Sequence, residues 1–416
     1  MRQKLANVIL GTTVLTLTAC TTNKPNEPIV APEQSVTITP DYPAKTTAPT
    51  QGPLNLRVGE TKLRFINRRF DSLPPMAQAD WIPAFEAFKR SCVSLKWRKG
   101  WAPVCSIAQK QSSELARLFF TENFNLYQIE AVTKNKDHST KVQQQGMMTG
   151  YYEPLIYGNR TKQGAYKVPL LGEPDDLITV ELDRVYPQLK GLRLRGKMQG
   201  QKLVPYDTRA LITQRNDLHR WAIAWVEDPV DAFFLQVQGS GRILMPDGQY
   251  VRLGYANTNG HNYKAIGRYM VNQGYLKSHE LSMQNIRSWA KKNPDKIQSV
   301  LNQNPSYIFF TERQSQAYDE GPLGAQGVPL TAMGSVAVDK RFYQYGWPMI
   351  VDVKQSRPDL KMTRAVVAQD TGGAIKGPIR FDFFWGFGET AGELAGRQKS
   401  DVKAWVMLPK GVRPPQ

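Results

Sequence analysis

Two aspartates in the last quarter of the chain, Asp370 and Asp382, are the strongest candidates for acid–base work. They bracket a turn in the stretch 365–387, AVVAQDTGGAIKGPIRFDFFWGF. The pattern predicts a buried strand over 365–369, a loop built on Gly372, Gly373 and Gly377, and an aromatic strand over 379–385. Period-two alternation turns Asp382 to the face opposite Phe381 and Phe383, in a pleated, aromatic neighbourhood. Burial of that kind raises a carboxyl pKa. An acid held protonated near neutral pH suits glycosidic bond cleavage, where the leaving oxygen must receive a proton. Aspartates beside glycine also cap turns, and the local sequence leaves both readings open. Arg380, two residues before Asp382, opposes the burial, because a nearby cation favours the carboxylate.

Other chemistries find weaker footing. Asp370 begins an Asp-Thr-Gly, the pattern of aspartic proteases, but those need two such carboxylates sharing a proton and this chain has one. Ser240 lies in Gly-Ser-Gly without a nucleophile elbow or a histidine nearby in sequence. The four histidines, His138, His219, His261 and His279, are scattered without ligand spacing, so no metal is expected. Phosphate-binding and dinucleotide-binding glycine fingerprints are absent, and no cofactor is expected.

The folded part of the chain that would hold these carboxylates follows a targeting segment. Arg2 and Lys4, an apolar run near 8–17 and Leu-Thr-Ala-Cys ending at Cys20 form a secretory signal with a lipobox. The run is shorter than the roughly 20 residues a spanning helix needs. Residues 1–19 are therefore expected to be removed, with Cys20 lipidated and Thr21 after it directing the protein to the periplasmic face of a bacterial outer membrane. A Pro/Thr/Asn-rich tether follows over 20–58, too poor in large apolar residues to fold.

A formal net charge of +18 makes an anionic partner or simple surface solvation the two readings, and an exported protein does not meet nucleic acid. Cys92 and Cys105 form a disulfide across a short loop in an oxidising compartment, or else stay as two thiols. Helices are expected near 81–96 and 112–124, the second packing Leu115, Leu118 and Phe119, with a polar stretch over 124–149. Short strands broken by Gly and Pro over 146–254 suggest a small barrel or sandwich, with 233–238 read as an alternating strand running into Gly239. Further helices are expected near 263–275 and 282–292, then strands over 328–350 and 404–408.

The strings AQDTGGAIKGPIRFDFFWGFG and VPLTAMGSVAVDKRFYQYG resemble the 3D domain of the MltA family of lytic murein transglycosylases. Its three aspartates match Asp339, Asp370 and Asp382. GYYEP from Gly150, FFLQVQGSGRI from Phe233, RLGYANTNGHNY from Arg252, SMQNIRSW from Ser282 and NPSYIFF from Asn304 extend the likeness over roughly 63–408. The resemblance implies a mainly β fold with peripheral helices: a double-psi β-barrel over 59–153 and 315–416, interrupted by a smaller inserted β-barrel over 154–314.

By the same resemblance the activity is a peptidoglycan lytic exo-transglycosylase, with glycan strands lying between the barrels. It cleaves the bond between N-acetylmuramic acid and N-acetylglucosamine without water and leaves a 1,6-anhydromuramic end. Asp382 is then the single acid and base, Asp370 its support and Asp339 structural, while Thr149, Tyr151, Tyr152, Gln238, Ser240, Gly241 and Asn259 are candidate glycan contacts. Tyrosines at a barrel junction can stack on sugar faces. Cell-wall synthases are the expected further partners, and the chain is expected to be a monomer. The rival classes are a glycan-binding lipoprotein without activity and an aspartic-protease-like hydrolase.

Overall fold

The computed structural model describes residues 57–58, 60–135, 137–189, 192, 194–313, 320–356 and 358–415. The signal segment, Cys20 and nearly all of the tether lie outside these residues. In chain order, β1 (Thr61–Arg68) leads to helices α1 (Ile82–Leu95), α2 (Ala102–Lys110) and α3 (Ala116–Asn123). Strands β2 (Phe124–Lys134) and β3 (Gly146–Glu153) follow. The inserted unit comprises β4 (Leu155–Asn159), β5 (Val168–Leu171), β6 (Ala222–Val226), α4 (Pro229–Gln238), β7 (Gly241–Leu244), β8 (Tyr250–Thr258), α5 (Ile266–Asn272), α6 (Met283–Lys292), α7 (Pro294–Leu301) and β9 (Ile308–Arg313). The chain then returns through β10 (Ser335–Val338), β11 (Pro348–Ser356), β12 (Asp359–Asp370), β13 (Arg380–Phe387), α8 (Gly388–Arg397) and β14 (Lys399–Pro409).

Six strands close the first barrel in the order β14-β11-β12-β10-β13-β3, with β3 pairing back onto β14. Two neighbouring pairs, β10 with β12 and β13 with β3, are parallel and the others antiparallel. This is the double-psi barrel, and β2 and β1 extend it as a flange beside β14. Closure removes the sheet edges that would otherwise need protection. The interior is filled by alternate residues, including Val336, Val338, Val351, Val367, Phe381 and Phe383, all fully buried.

The inserted strands run β9-β8-β7-β4-β6-β5, and a parallel bridge between Gly172 and Phe310 closes them into a second, smaller barrel. At its junction with the first barrel, Glu153 at the end of β3 is 1% exposed and accepts from Arg242 Nε at 2.8 Å. Arg252 Nη2 reaches the same carboxylate oxygen at 3.4 Å.

Several sequence expectations change here. Residues 233–238 are helical because Asp228 accepts the Val230 N–H at 2.7 Å, Pro229 opens the first turn and Gly239 takes φ +80° at the end. Leu115 and Leu118 are exposed, and Ala116, Phe119 and Phe120 form the packed face of α3. The polar stretch after Phe124 is largely the long strand β2, which pairs with both β1 and β14. Cys92 and Cys105 are bonded, the first of the two readings, with Cα atoms 5.5 Å apart, and the bridge closes the short connection between α1 and α2. In the chain-entropy picture such a loop contributes about 3 kcal/mol. Of the loop glycines only Gly377 has a left-handed φ, +119°.

Removing one partner of a buried ion pair leaves the other charge uncompensated. Glu153→Gln is expected to lower unfolding free energy by about 3–5 kcal/mol, measured by urea denaturation, because two buried guanidinium groups would lose their shared carboxylate.

Candidate active site

Asp382 lies in the middle of β13, directly opposite Thr149 on β3 and Ala337 on β10. Ala337 in turn pairs with Asp370, the last residue of β12. Four strands therefore carry Thr149, Asp382, Ala337 and Asp370 in one row across the sheet. Phe381 and Phe383 point into the barrel core while Asp382 is half-buried on the outer face, as alternation demands. A small residue at Ala337 keeps the space between the two carboxylate positions free of a bulky side chain.

Thr149 Oγ1 donates to Asp382 Oδ1 at 2.6 Å. The same hydroxyl accepts from Arg380 Nη2 at 2.9 Å, which orients its proton toward the carboxylate. Asp370 Oδ2 accepts from the Tyr151 hydroxyl at 3.1 Å, and its Oδ1 from the Ala325 N–H at 3.0 Å. The Tyr151 ring rests against Phe384, with centroids 5.2 Å apart. Asp370 thus has fixed neutral donors as partners, where an aspartic protease would pair it with a second carboxyl.

Burial pushes the Asp382 carboxyl up to about 6, against the pull of the Thr149 hydrogen bond and the Arg380 charge, while Asp370 adds a smaller upward push. Asp370 is also raised by burial, and the N–H groups of Thr371 and Ala325 and the Tyr151 hydroxyl restrain the rise. Burial opposes ionisation of Asp339 as well, but Arg341 and the N–H groups of Gly377 and Arg341 hold its carboxyl below the usual range. Asp339 accepts the Gly377 N–H at 2.8 Å, so it clamps the turn that joins β12 to β13.

The remaining candidate contacts separate from this row. Tyr152 faces the other way along β3, is 5% exposed and packs against Met283, Ala391 and Ala395. Gln238 Oε1 accepts the Tyr152 N–H at 3.3 Å and so fastens α4 to β3. Ser240 is half-buried in the turn after α4. Gly241 is a packing glycine, since a Cβ there would come within 2.1 Å of Leu235 Cδ1. Asn259 is 1% exposed, donates to the carbonyls of Asp207 and Pro305 and accepts from the Tyr307 N–H, all within the inserted unit. In this structure it acts as an internal brace, away from the carboxylate row. The Ala325 N–H was missed because a backbone donor leaves no signature in side-chain type. Among the described residues, no three His, Cys, Asp or Glu side chains converge to hold a metal.

Comparison with known proteins adds a family context. A family model described as the MltA specific insert domain matches residues 147–311, and one described as the 3D domain matches residues 334–408. Membrane-bound lytic murein transglycosylase A of Escherichia coli (strain K12) is 32% identical over 267 residues, 62% of this chain and 64% of that protein. The match thus spans just under two thirds of that relative's length. Among solved structures, MltA from Neisseria gonorrhoeae in its monoclinic form aligns with a TM-score of 0.72 at 35% identity, covering 88% of this chain and 98% of that one. E. coli MltA with bound chitohexaose aligns with a TM-score of 0.60 at 26% identity, covering 83% and 94% of the two chains.

The raised pKa of Asp382 is a stability statement. Its folded value of about 6 exceeds the ordinary 3.8, so the fold resists ionisation. The resulting penalty is absent when both states are protonated, grows between the two values and is complete above the higher one. Asp382→Asn should accordingly raise unfolding free energy by on the order of 3 kcal/mol at mildly alkaline pH and by nothing at about pH 3. Urea denaturation across pH measures the gap, and one that does not vary with pH contradicts the assignment.

Proposed function

The chain belongs to the MltA family, and we propose that it is a lytic transglycosylase that cleaves peptidoglycan glycan strands with Asp382 as its single acid and base. The observation that carries this reading is the half-buried Asp382 carboxyl, pushed up to about 6 and oriented by Thr149 on a neighbouring strand. At that value about a tenth is protonated at pH 7 and half at about pH 6, against almost none for an ordinary aspartate, so a general acid is available.

Protonated Asp382 gives its proton to the oxygen bridging N-acetylmuramic acid and N-acetylglucosamine as the anomeric bond breaks. The carboxylate then takes the proton of the muramic C6 hydroxyl, whose oxygen bonds to C1 of the same sugar. Asp382 ends as it began, no water is consumed, and the products are a 1,6-anhydromuramic end and a free hydroxyl on the leaving sugar. Attack by a hydroxyl already tethered to the reacting sugar has a large effective-molarity advantage over water. A second base, which hydrolytic glycosidases use, is not needed.

Asp370, held by Tyr151 and Ala325, supports the site by fixing the end of β12 and adding negative potential where positive charge develops at the anomeric carbon. Tyr151, half-buried and backed by the buried Phe384, offers a ring beside the carboxylates for a sugar. The chitohexaose bound by the E. coli relative supports a chain of linked sugars as the ligand of this site. That the E. coli relative is called membrane-bound supports anchoring through Cys20 at the periplasmic face of the outer membrane. Among the described residues no helix is long and apolar enough to cross a membrane.

Asp382→Asn is expected to abolish release of anhydro-muropeptides from purified sacculi, read by mass spectrometry, with sacculus binding retained. Binding without release by the unaltered protein would instead favour a glycan-binding role. Activity should fall as pH rises through about 6, since the acid form is then lost. Thr149→Val removes a donor that favours the carboxylate, so the falling limb of its kcat/KM profile should move to higher pH. A limb that stays in place would exclude Asp382 as the titrating acid.

A further inference from the structure

The inserted unit holds a second pocket, of about 190 Å³, that the chemistry above does not use. Its lining includes Lys167, Arg209, Arg215 and His219 and no aspartate or glutamate. Arg215 is already matched by Asp176, Asp207 and Asp217. Arg209 is not: among the described residues it forms no ion pair, although it is only 4% exposed. Its Nε donates to the Asn304 carbonyl at 3.1 Å and its Nη2 to the Ser306 carbonyl at 2.6 Å. Its guanidinium carbon lies 4.7 Å from the Phe233 ring centre and 5.1 Å from that of Tyr307. Burial draws Arg209 down to about 10, so it stays cationic at neutral pH.

On the same pocket wall, Gln236 on α4 is 5% exposed; its side chain hydrogen-bonds Tyr307, and its Oε1 is buried without a donor. A buried cation without a counter-ion and a buried acceptor without a donor are each costly. Both are satisfied by one ligand that carries an N–H or O–H next to a negative charge. The pocket wall is apolar at Leu171, Ala232 and Leu301, and Thr213 and Gln298 add polar groups to its lining.

We propose that this pocket binds the carboxyl-terminal residue of a short peptide. The carboxylate sits against Arg209, with exposed Lys167 at the rim, the last amide N–H donates to Gln236 Oε1, and a small side chain lies on the apolar wall. A bare inorganic anion would match the charge and leave the Gln236 acceptor unmet. The site is independent of Asp382 and stands whether or not the proposed bond cleavage does.

Isothermal titration calorimetry on the full-length protein in a neutral detergent tests this with N-acetyl-alanyl-alanine, its C-terminal carboxamide, sodium acetate and inorganic phosphate. Saturable binding of one peptide per chain is expected, with the carboxamide and acetate each at least about tenfold weaker. Gln236→Leu should reduce the peptide to the level of acetate, and Lys167→Gln should weaken peptide and acetate alike. Neither variant depends on removing the buried Arg209, whose loss could unfold the inserted unit. Absence of saturable peptide binding, equal binding of the carboxamide, tighter binding of phosphate, or full peptide affinity in Gln236→Leu would each overturn the proposal.

Discussion

The parallel pairing of β13 with β3 is the constraint on which the site depends. It sets Asp382 beside Thr149, residues 233 positions apart in sequence, and their side chains meet in one hydrogen bond of 2.6 Å. A register slip of one residue would turn Asp382 toward the core and Phe381 or Phe383 outward. The fully buried phenylalanines oppose that slip, so the apolar interior of the barrel fixes the position of the carboxyl on its surface. Parallel partners cannot be joined by a tight hairpin, and the inserted unit is part of the long connection that parallel pairing requires.

Two opposing electrostatic effects then set the chemistry. Burial, with a smaller push from Asp370, favours neutral Asp382, while Thr149 and Arg380 favour the anion, and burial wins. A value about one unit below neutral suits the acid and base role proposed above, because both forms are then accessible at neutral pH. Asp339 shows the other outcome on the same fold. Its direct contact with Arg341 and two N–H donors overcome its burial, so it remains an anion and serves as a clamp on the turn.

What could be read in the chain follows from how local each signal is. The aromatic alternation of β13 and the carboxylates at either end of its turn were legible because a strand declares its faces within a few residues. The disulfide followed from compartment and count. The segment 233–238 misled because FFLQVQ fits a strand over six residues, whereas the helix is announced by Asp228-Pro229 before it and Gly239 after it. Leu118 misled for a related reason, since helical spacing identifies a face without saying whether anything covers it. Asn259 and the Ala325 N–H were illegible in principle, being defined by partners distant in sequence.

Strand β3 also explains why adjacent tyrosines have different tasks. Thr149 and Tyr151 project on the outer face, where they meet Asp382 and Asp370. Gly150 and Tyr152 project on the other, beneath α8, where a Cβ on Gly150 would lie 2.6 Å from both Gln398 Oε1 and Trp385 Nε1. The same strand ends at Glu153, gripped by two arginines of the inserted barrel. The carboxylate row is therefore anchored at its edge by the element that joins the two barrels, while Gly150 leaves room for Gln398 and Trp385 beneath α8 and Ala337 keeps the space between the two carboxylate positions clear.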